Sequence, residues 1–169
     1  MSVAGNVVAA SSMEGTLFGL SQTDGKLVWK AHLGDLAVDG PYAVKQCFFL
    51  ASGNKLLWLV DAESGGLLAK QECPEPILSA LPLAGIPGFV CSDTQGRITF
   101  LKPGDLSVER RVKLGVSLTQ GLLPLEDMLL QWGAMSEFTP RGPGVIAGDE
   151  NGFVHLLAAD VREDGSNNE

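Results

Sequence analysis

Residues 6–30, NVVAASSMEGTLFGLSQTDGKLVWK, decide how the rest of the chain is read. Residues 7–10 are a small apolar run, residues 12–15 (SMEG) a polar turn, and residues 16–20 (TLFGL) a second run. A second turn at residues 23–25 (TDG) leads into a third run that starts at Leu27 and reaches Trp29. Short apolar runs bounded by Gly, Asp and Ser turns mark hairpin-linked strands, because the turn residues supply the reversals a strand cannot make itself.

The same stretch recurs. Moved forward by forty residues it falls without a gap on residues 49–70, FLASGNKLLWLVDAESGGLLAK. Ser12 meets Ser52, Leu17 meets Leu57, Phe18 meets Trp58, Gly25 meets Gly65, Leu27 meets Leu67 and Lys30 meets Lys70. A third copy starts at Gly88 (GFVCSDTQGRITFLKPGDLSVERR) and places Asp93, Gly96, Ile98 and Leu101 where the first has Ser12, Gly15, Leu17 and Leu20. A fourth, residues 144–158 (GVIAGDENGFVHLLA), places Asp149, Gly152, Val154 and Leu157 there. Further apolar runs at residues 41–44, 77–83 and 118–125 suit an innermost strand between copies. A period near forty residues with four strands per unit is the pattern of propeller blades, which bury their faces only by stacking on neighbours. The expected fold is all-β: about four antiparallel four-stranded blades, at residues 1–35, 36–74, 75–115 and 116–159, followed by a polar, disordered tail at residues 160–169.

These residues carry a family resemblance. Small apolar residues, Ser or Asp, a turn glycine, Leu-aromatic-x-Leu, a second turn with Gly-Lys, and Trp: residues 9–29 show this pattern almost throughout, and it resembles the pyrroloquinoline-quinone-type (PQQ-like) propeller repeat. The second copy has Ala69 and the third Arg110 where the Trp is expected, and the fourth stops before that position. The resemblance covers most of the chain, is strongest in its first half, and speaks to fold more than to function, since propellers host many activities.

The first copy reads as beginning at its second strand, with residues 1–4 too short to complete the last blade of a closed ring. A piece of a larger propeller and a small, imperfectly closed ring both fit, and the former is preferred. The N-terminus lacks the charged start and apolar core of a secretory signal, and no stretch approaches the ~18 apolar residues of a membrane-spanning helix. A cytoplasmic setting is therefore expected. The formal charge of −8 argues against a nucleic-acid partner, which requires a basic face. The local exception, Arg110, Arg111 and Lys113, reads as a solvated, charged outer strand.

The chemistry-bearing residues are few. Cys47, Cys73 and Cys91 are an odd, widely spaced set without a CxxC motif, and Cys91, in the place of Ala10, is expected to be a small core residue. Quinone-dependent dehydrogenases of the related fold are implied by the resemblance to use a tryptophan floor, an adjacent cysteine pair and acidic calcium ligands. This chain has no adjacent cysteine pair. Trp29 stands in the repeat's own structural position and Trp58 on a middle strand, so no cofactor is expected. The turns at residues 92–96 and 148–152 lack the ligand spacing of a calcium loop and read as hairpin turns. His32 and His155 lie in no recognisable nucleophile motif, and no phosphate-binding loop is present.

One stretch breaks the period. Gly96 and Gly152 are 56 residues apart, against 40 or 41 for the earlier copies, and the excess falls at residues 131–143, QWGAMSEFTPRGP. Long loops on rigid scaffolds carry binding residues, and Trp and Arg are frequent hot spots. Trp132, Met135, Phe138 and Arg141 are thus the candidate partner-binding residues, with no catalytic or metal site expected. The leading expectation is a non-enzymatic protein-interaction scaffold with a protein partner and further blades from a parent chain or another copy. The alternatives are a fragment of a quinone-dependent oxidoreductase, or a propeller appended to a kinase or an adenylate-forming enzyme.

Overall fold

The computed structural model describes residues 1–83, 87–124, 144–151 and 154–158. The first sheet contains β1 (Ser2–Ala4), β2 (Val7–Ser11), β3 (Thr16–Ser21) and β4 (Leu27–His32). The second contains β5 (Ala37–Val44), β6 (Cys47–Ser52), β7 (Leu56–Asp61) and β8 (Leu67–Glu72), and the third β9 (Ile77–Pro82), β10 (Phe89–Asp93), β11 (Arg97–Leu101) and β12 (Val108–Lys113). The fourth holds β13 (Leu123–Pro124), β14 (Gly144–Gly148) and β15 (Val154–Ala158). Every sheet is antiparallel with its strands in chain order, as short hairpin turns require.

The first sheet corrects the expectation that the first copy lacks its leading strand. Ser2, Val3 and Ala4 pair with Ala9, Val8 and Val7, so the N-terminus completes its own blade instead of reaching toward the last one. Three residues suffice because the next blade holds them: the Ala43 amide donates to Ser2 Oγ at 2.9 Å. The contacts between sheets run chiefly through β1 and β5 and through β5 and β9, which puts the first strand of each blade on the inside.

The hairpin turns are capped as their residue types dictate. Ser12 Oγ accepts from the Glu14 and Thr16 amides, and Asp93 Oδ1 accepts from those of Gln95 and Arg97, each at 3.0 Å in the second case. Before the outer strand a register shift recurs in three blades, at Gly19/Leu20, Leu59/Val60 and Phe100/Leu101. It follows a residue of positive φ: Gly25 (69°), Gly65 (71°) and, where the third copy has no glycine, Leu106 (59°). A leucine in that region is strained, and the seams between blades explain why it is there.

Three apolar clusters fill the three seams between successive sheets. The first joins Ala9, Leu17, Trp29 and Leu33 to Phe48, Leu50 and Val60. Trp29 is its peg. Gly19 lies opposite it on β3, where any Cβ would overlap the indole, and a Cβ on Gly65 of the next blade would come within 2.6 Å of the ring. Its Nε1 donates to the Ala62 carbonyl of the second blade at 2.9 Å, and its ring lies 6.2 Å from that of Phe48. The second seam reverses the volumes. Ala69 takes the place of Trp29, and Leu106, fully buried, takes the place of Gly65. That seam also holds Phe49 stacked on Phe89 at 4.1 Å. The third seam joins Val90, Ile98 and Phe100 to Leu118, Leu122, Val145 and Ala147. Here the Trp position is Arg110, whose guanidinium lies 4.3 Å over the Phe100 ring.

Candidate interaction surface

The sheets at the two ends of the array each have a face that no other described sheet covers. In the second sheet, Phe48, Leu50 and Val60 point at the first sheet and are fully buried. The repeat places Val8, Ala10 and Leu20 at those positions in the first sheet, and all three are half-buried there, with Val3 beside them 48% exposed. They form one surface, because Val3 pairs with Val8, Val8 with Leu20, and Ala10 with Phe18. At the far end the relation is mirrored. Ile98 and Phe100 of the third sheet are 0% and 4% exposed, whereas Val154 and Leu156, at the same positions in the fourth, are 70% and 44% exposed. Leu123, on the same face through its pairing with Ile146, is 55% exposed. Apolar side chains at positions the interior seams bury are thus half-buried or exposed at both ends, with Ile146 alone of those named remaining buried on the far face.

The inside of the array carries a polar clasp between the second and third blades. Asp39 on β5 accepts from Ser79 Oγ and the Ala80 amide on β9, both at 2.8 Å, and from the Tyr42 hydroxyl at 2.7 Å. Burial and the Asp39 carboxylate both push the Tyr42 phenol far above its ordinary value. A phenol raised in the folded state contributes stability that is complete below the unfolded value near pH 10 and is lost as pH rises through the folded one. Tyr42 is the chain's one tyrosine, so phenolate absorbance reports it alone. Alkaline titration is expected to show no phenolate at pH 10 in the folded protein, and Asp39→Ala is expected to lower the titration while burial keeps it above normal. A wild-type phenol that titrates near pH 10 would disprove the clasp.

The expected sites fall as follows. Trp132, Met135, Phe138 and Arg141 lie outside the described residues. His32 ends β4 and is exposed. His155 on β15 is not simply an apolar-strand residue: its Nε2 lies 2.9 Å from Asp149 Oδ2, whose other oxygen accepts from the Asn151 amide and caps the turn. Trp58 is half-buried rather than a full core residue; its Nε1 donates to Ser52 Oγ at 2.8 Å and Lys70 Nζ lies 5.5 Å from its ring. Arg111 and Lys113 are exposed on β12. Among the described residues no group of three or more His, Cys, Asp or Glu could hold a metal ion, and no helix is long and apolar enough to cross a membrane.

The sequence reading missed both end faces and the Asp39 clasp. The end faces had a signal, since aligning the copies matches Val8 and Leu20 with Phe48 and Val60. Asp39 had none, because the inner strand β5 lies outside the matched part of the repeat and nothing along the chain marks its partners on β9.

Neither a family profile nor a curated protein sequence matches the chain. Solved structures do resemble it. BamB from Moraxella catarrhalis superposes with a TM-score of 0.64 at 16% identity, over 90% of this chain and 43% of that one. The computationally designed Ika4 protein does so at 0.66 and 14%, over 93% of this chain and 89% of that one. BBS1N, solved in complex with ARL6DN, reaches 0.70 at 11%, over 91% and 44%. The chain spans less than half the length of BamB and BBS1N. With four antiparallel sheets stacked in chain order, these likenesses show a β-propeller-like fold whose ring is incomplete or open among the described residues.

Proposed function

We propose that the chain is a non-catalytic, PQQ-like propeller repeat protein that acts as a protein-interaction scaffold. The observation that carries this reading is the pair of apolar end faces, built largely from positions that the interior seams bury. What fits such a face is another blade, from a second copy of this chain or from additional repeats. Two copies joined end to end, the Val8 face of each on the Val154 face of the other, close a ring through two equivalent seams. The complex of the structurally similar BBS1N with ARL6DN is compatible with a binding role.

Light scattering over a range of concentrations, with binding of an apolar fluorescent dye, tests it. A dimer is expected, and Phe18→Glu, at the half-buried centre of the first face, is expected to give a folded monomer. A wild-type monomer whose dye binding disappears in Phe18→Glu would assign the face to blades on a different chain. A monomer that binds no dye and is unaffected by Phe18→Glu would overturn the proposal.

A further inference from the structure

The second seam holds a second group that the scaffold reading leaves unused. Cys73 follows β8, and Cys91 is at the centre of β10 in the next blade, yet their sulfurs are 3.9 Å apart. The repeat explains the meeting. Cys73 stands where the first copy has Leu33 and Cys91 where the second has Leu50, two leucines buried in the core of the first seam. The local backbone is the same: the Leu33 amide donates to the Gly15 carbonyl, and the Cys73 amide to that of Lys55. A pair of core leucine positions is a pair of thiols in the second seam, on two different sheets.

The two thiols are not equivalent. Cys73 lines a cleft of about 520 Å³ with Glu72, Pro74, Arg97 and Arg111. Cys91 lies behind it, paired on its strand with Ala80 and Thr99, and Thr99 in turn pairs with Arg111. The Arg97 guanidinium is 3.3 Å from Asp93, which balances part of its charge, while Arg111 is exposed at the cleft.

We propose that Cys73 and Cys91 form an oxidisable dithiol site that takes a hydroperoxide through this cleft and closes to a disulfide between the second and third blades. Cys73 is the attacking sulfur, being the one at the cleft. The hydrogen bond from the Cys91 thiol, helped by Arg111 and Arg97, pulls its thiol below the ordinary value against the opposing effects of burial and Asp93. Cys91 is pushed well up, chiefly by that same pairing and by burial, and so keeps its proton. The Cys73 thiolate attacks one peroxide oxygen; the S–O bond forms, the O–O bond breaks, and the other oxygen leaves as an alkoxide or hydroxide that takes up a proton. The Cys91 sulfur, losing its proton, then attacks the Cys73 sulfenic acid; the S–S bond forms and the S–O bond breaks, releasing water. Two thiols supply the two electrons that reduce one peroxide. A disulfide needs its sulfurs at about 2.04 Å, so oxidation must draw the two side chains together from 3.9 Å.

Cys47 is the internal control. It is half-buried, and burial and Asp61 raise its thiol, with Lys45 acting the other way. The test is to treat the full chain with hydrogen peroxide and map thiols by mass spectrometry under non-reducing conditions. The expected result is a loss of two hydrogens assigned to a Cys73–Cys91 link, with Cys73 reacting about tenfold faster than Cys47. Cys91→Ser should accumulate a Cys73 sulfenic acid that dimedone traps, and Cys73→Ser should leave Cys91 reduced. The oxidised protein should unfold at a higher temperature, reversed by dithiothreitol. Faster reaction of Cys47, links between chains in place of the Cys73–Cys91 link, or both thiols remaining reduced would overturn the proposal. The wild-type mapping decides this even if a variant fails to fold.

Discussion

Trp29→Ala is expected to lower the thermal unfolding midpoint by roughly 10 °C, from about 3–5 kcal/mol for removing a large buried aromatic and about 2–4 °C per kcal/mol at this chain length. Three losses combine. The indole leaves a cavity between Gly19 and Gly65, neither of which has a side chain to move into it. The contact with Phe48 goes, and the Ala62 carbonyl loses the Nε1 donor of the 2.9 Å hydrogen bond. Trp29→Phe should cost less, because it keeps apolar volume in the seam and loses mainly the hydrogen bond, worth about 0.5–1.5 kcal/mol. Thermal unfolding followed by circular dichroism reads both variants. If Trp29→Ala cost no more than an exposed substitution, about 0.5 kcal/mol, the peg between the first two blades would be refuted.

The second large effect is a transplant. Leu106→Gly alone is expected to cost about 1–4 kcal/mol, the ~2–5 kcal/mol of a core leucine truncation less on the order of 1 kcal/mol for the strained backbone it relieves. Ala69→Trp alone forces an indole into a seam already filled by Leu106, at about 1–3 kcal/mol for overpacking. Together they give the indole the space that Gly65 provides in the first seam, although Leu59, buried opposite Ala69 where the first seam has Gly19, still crowds it. The double variant should therefore be more stable than the two single costs add up to but less stable than the wild type. A coupling of at least ~1 kcal/mol in a double-mutant cycle by urea unfolding is expected. Strict additivity would show that Ala69 and Leu106 do not share the space that Trp29 and Gly65 share.

This exchange also shows how far the sequence could be read. The spacing of Gly25 and Gly65, the capping residues Ser12 and Asp93, and the alternating runs between them are local signals. Hairpin strands follow from them because turn chemistry and a period of two act within a few residues. The forty-residue recurrence then implies stacked four-stranded blades. The same signals were weakest where the chain is short or out of period. The leading strand Ser2–Ala4 has only three residues before its Gly5-Asn6 turn, and its place depends on the Ala43 amide of another blade. Residues 131–143 departed from the repeat, and the candidate binding residues placed there lie outside the described residues.

By itself the sequence determined the strand class, the blade period and the turn positions, and its resemblance placed Trp29 at a structural position of the repeat. Each depends on which residue types follow one another along a single blade. Tertiary structure alone decided what meets across the seams. Leu106 in a glycine's conformation, Asp39 against Ser79 and Ala80, Cys73 against Cys91, and the Val8 and Val154 faces that no other described sheet covers all depend on how different blades are set side by side. Packing is a condition on volumes and polar groups from two surfaces at once, so a core leucine pair and a thiol pair look alike along the chain until the two sheets are brought together.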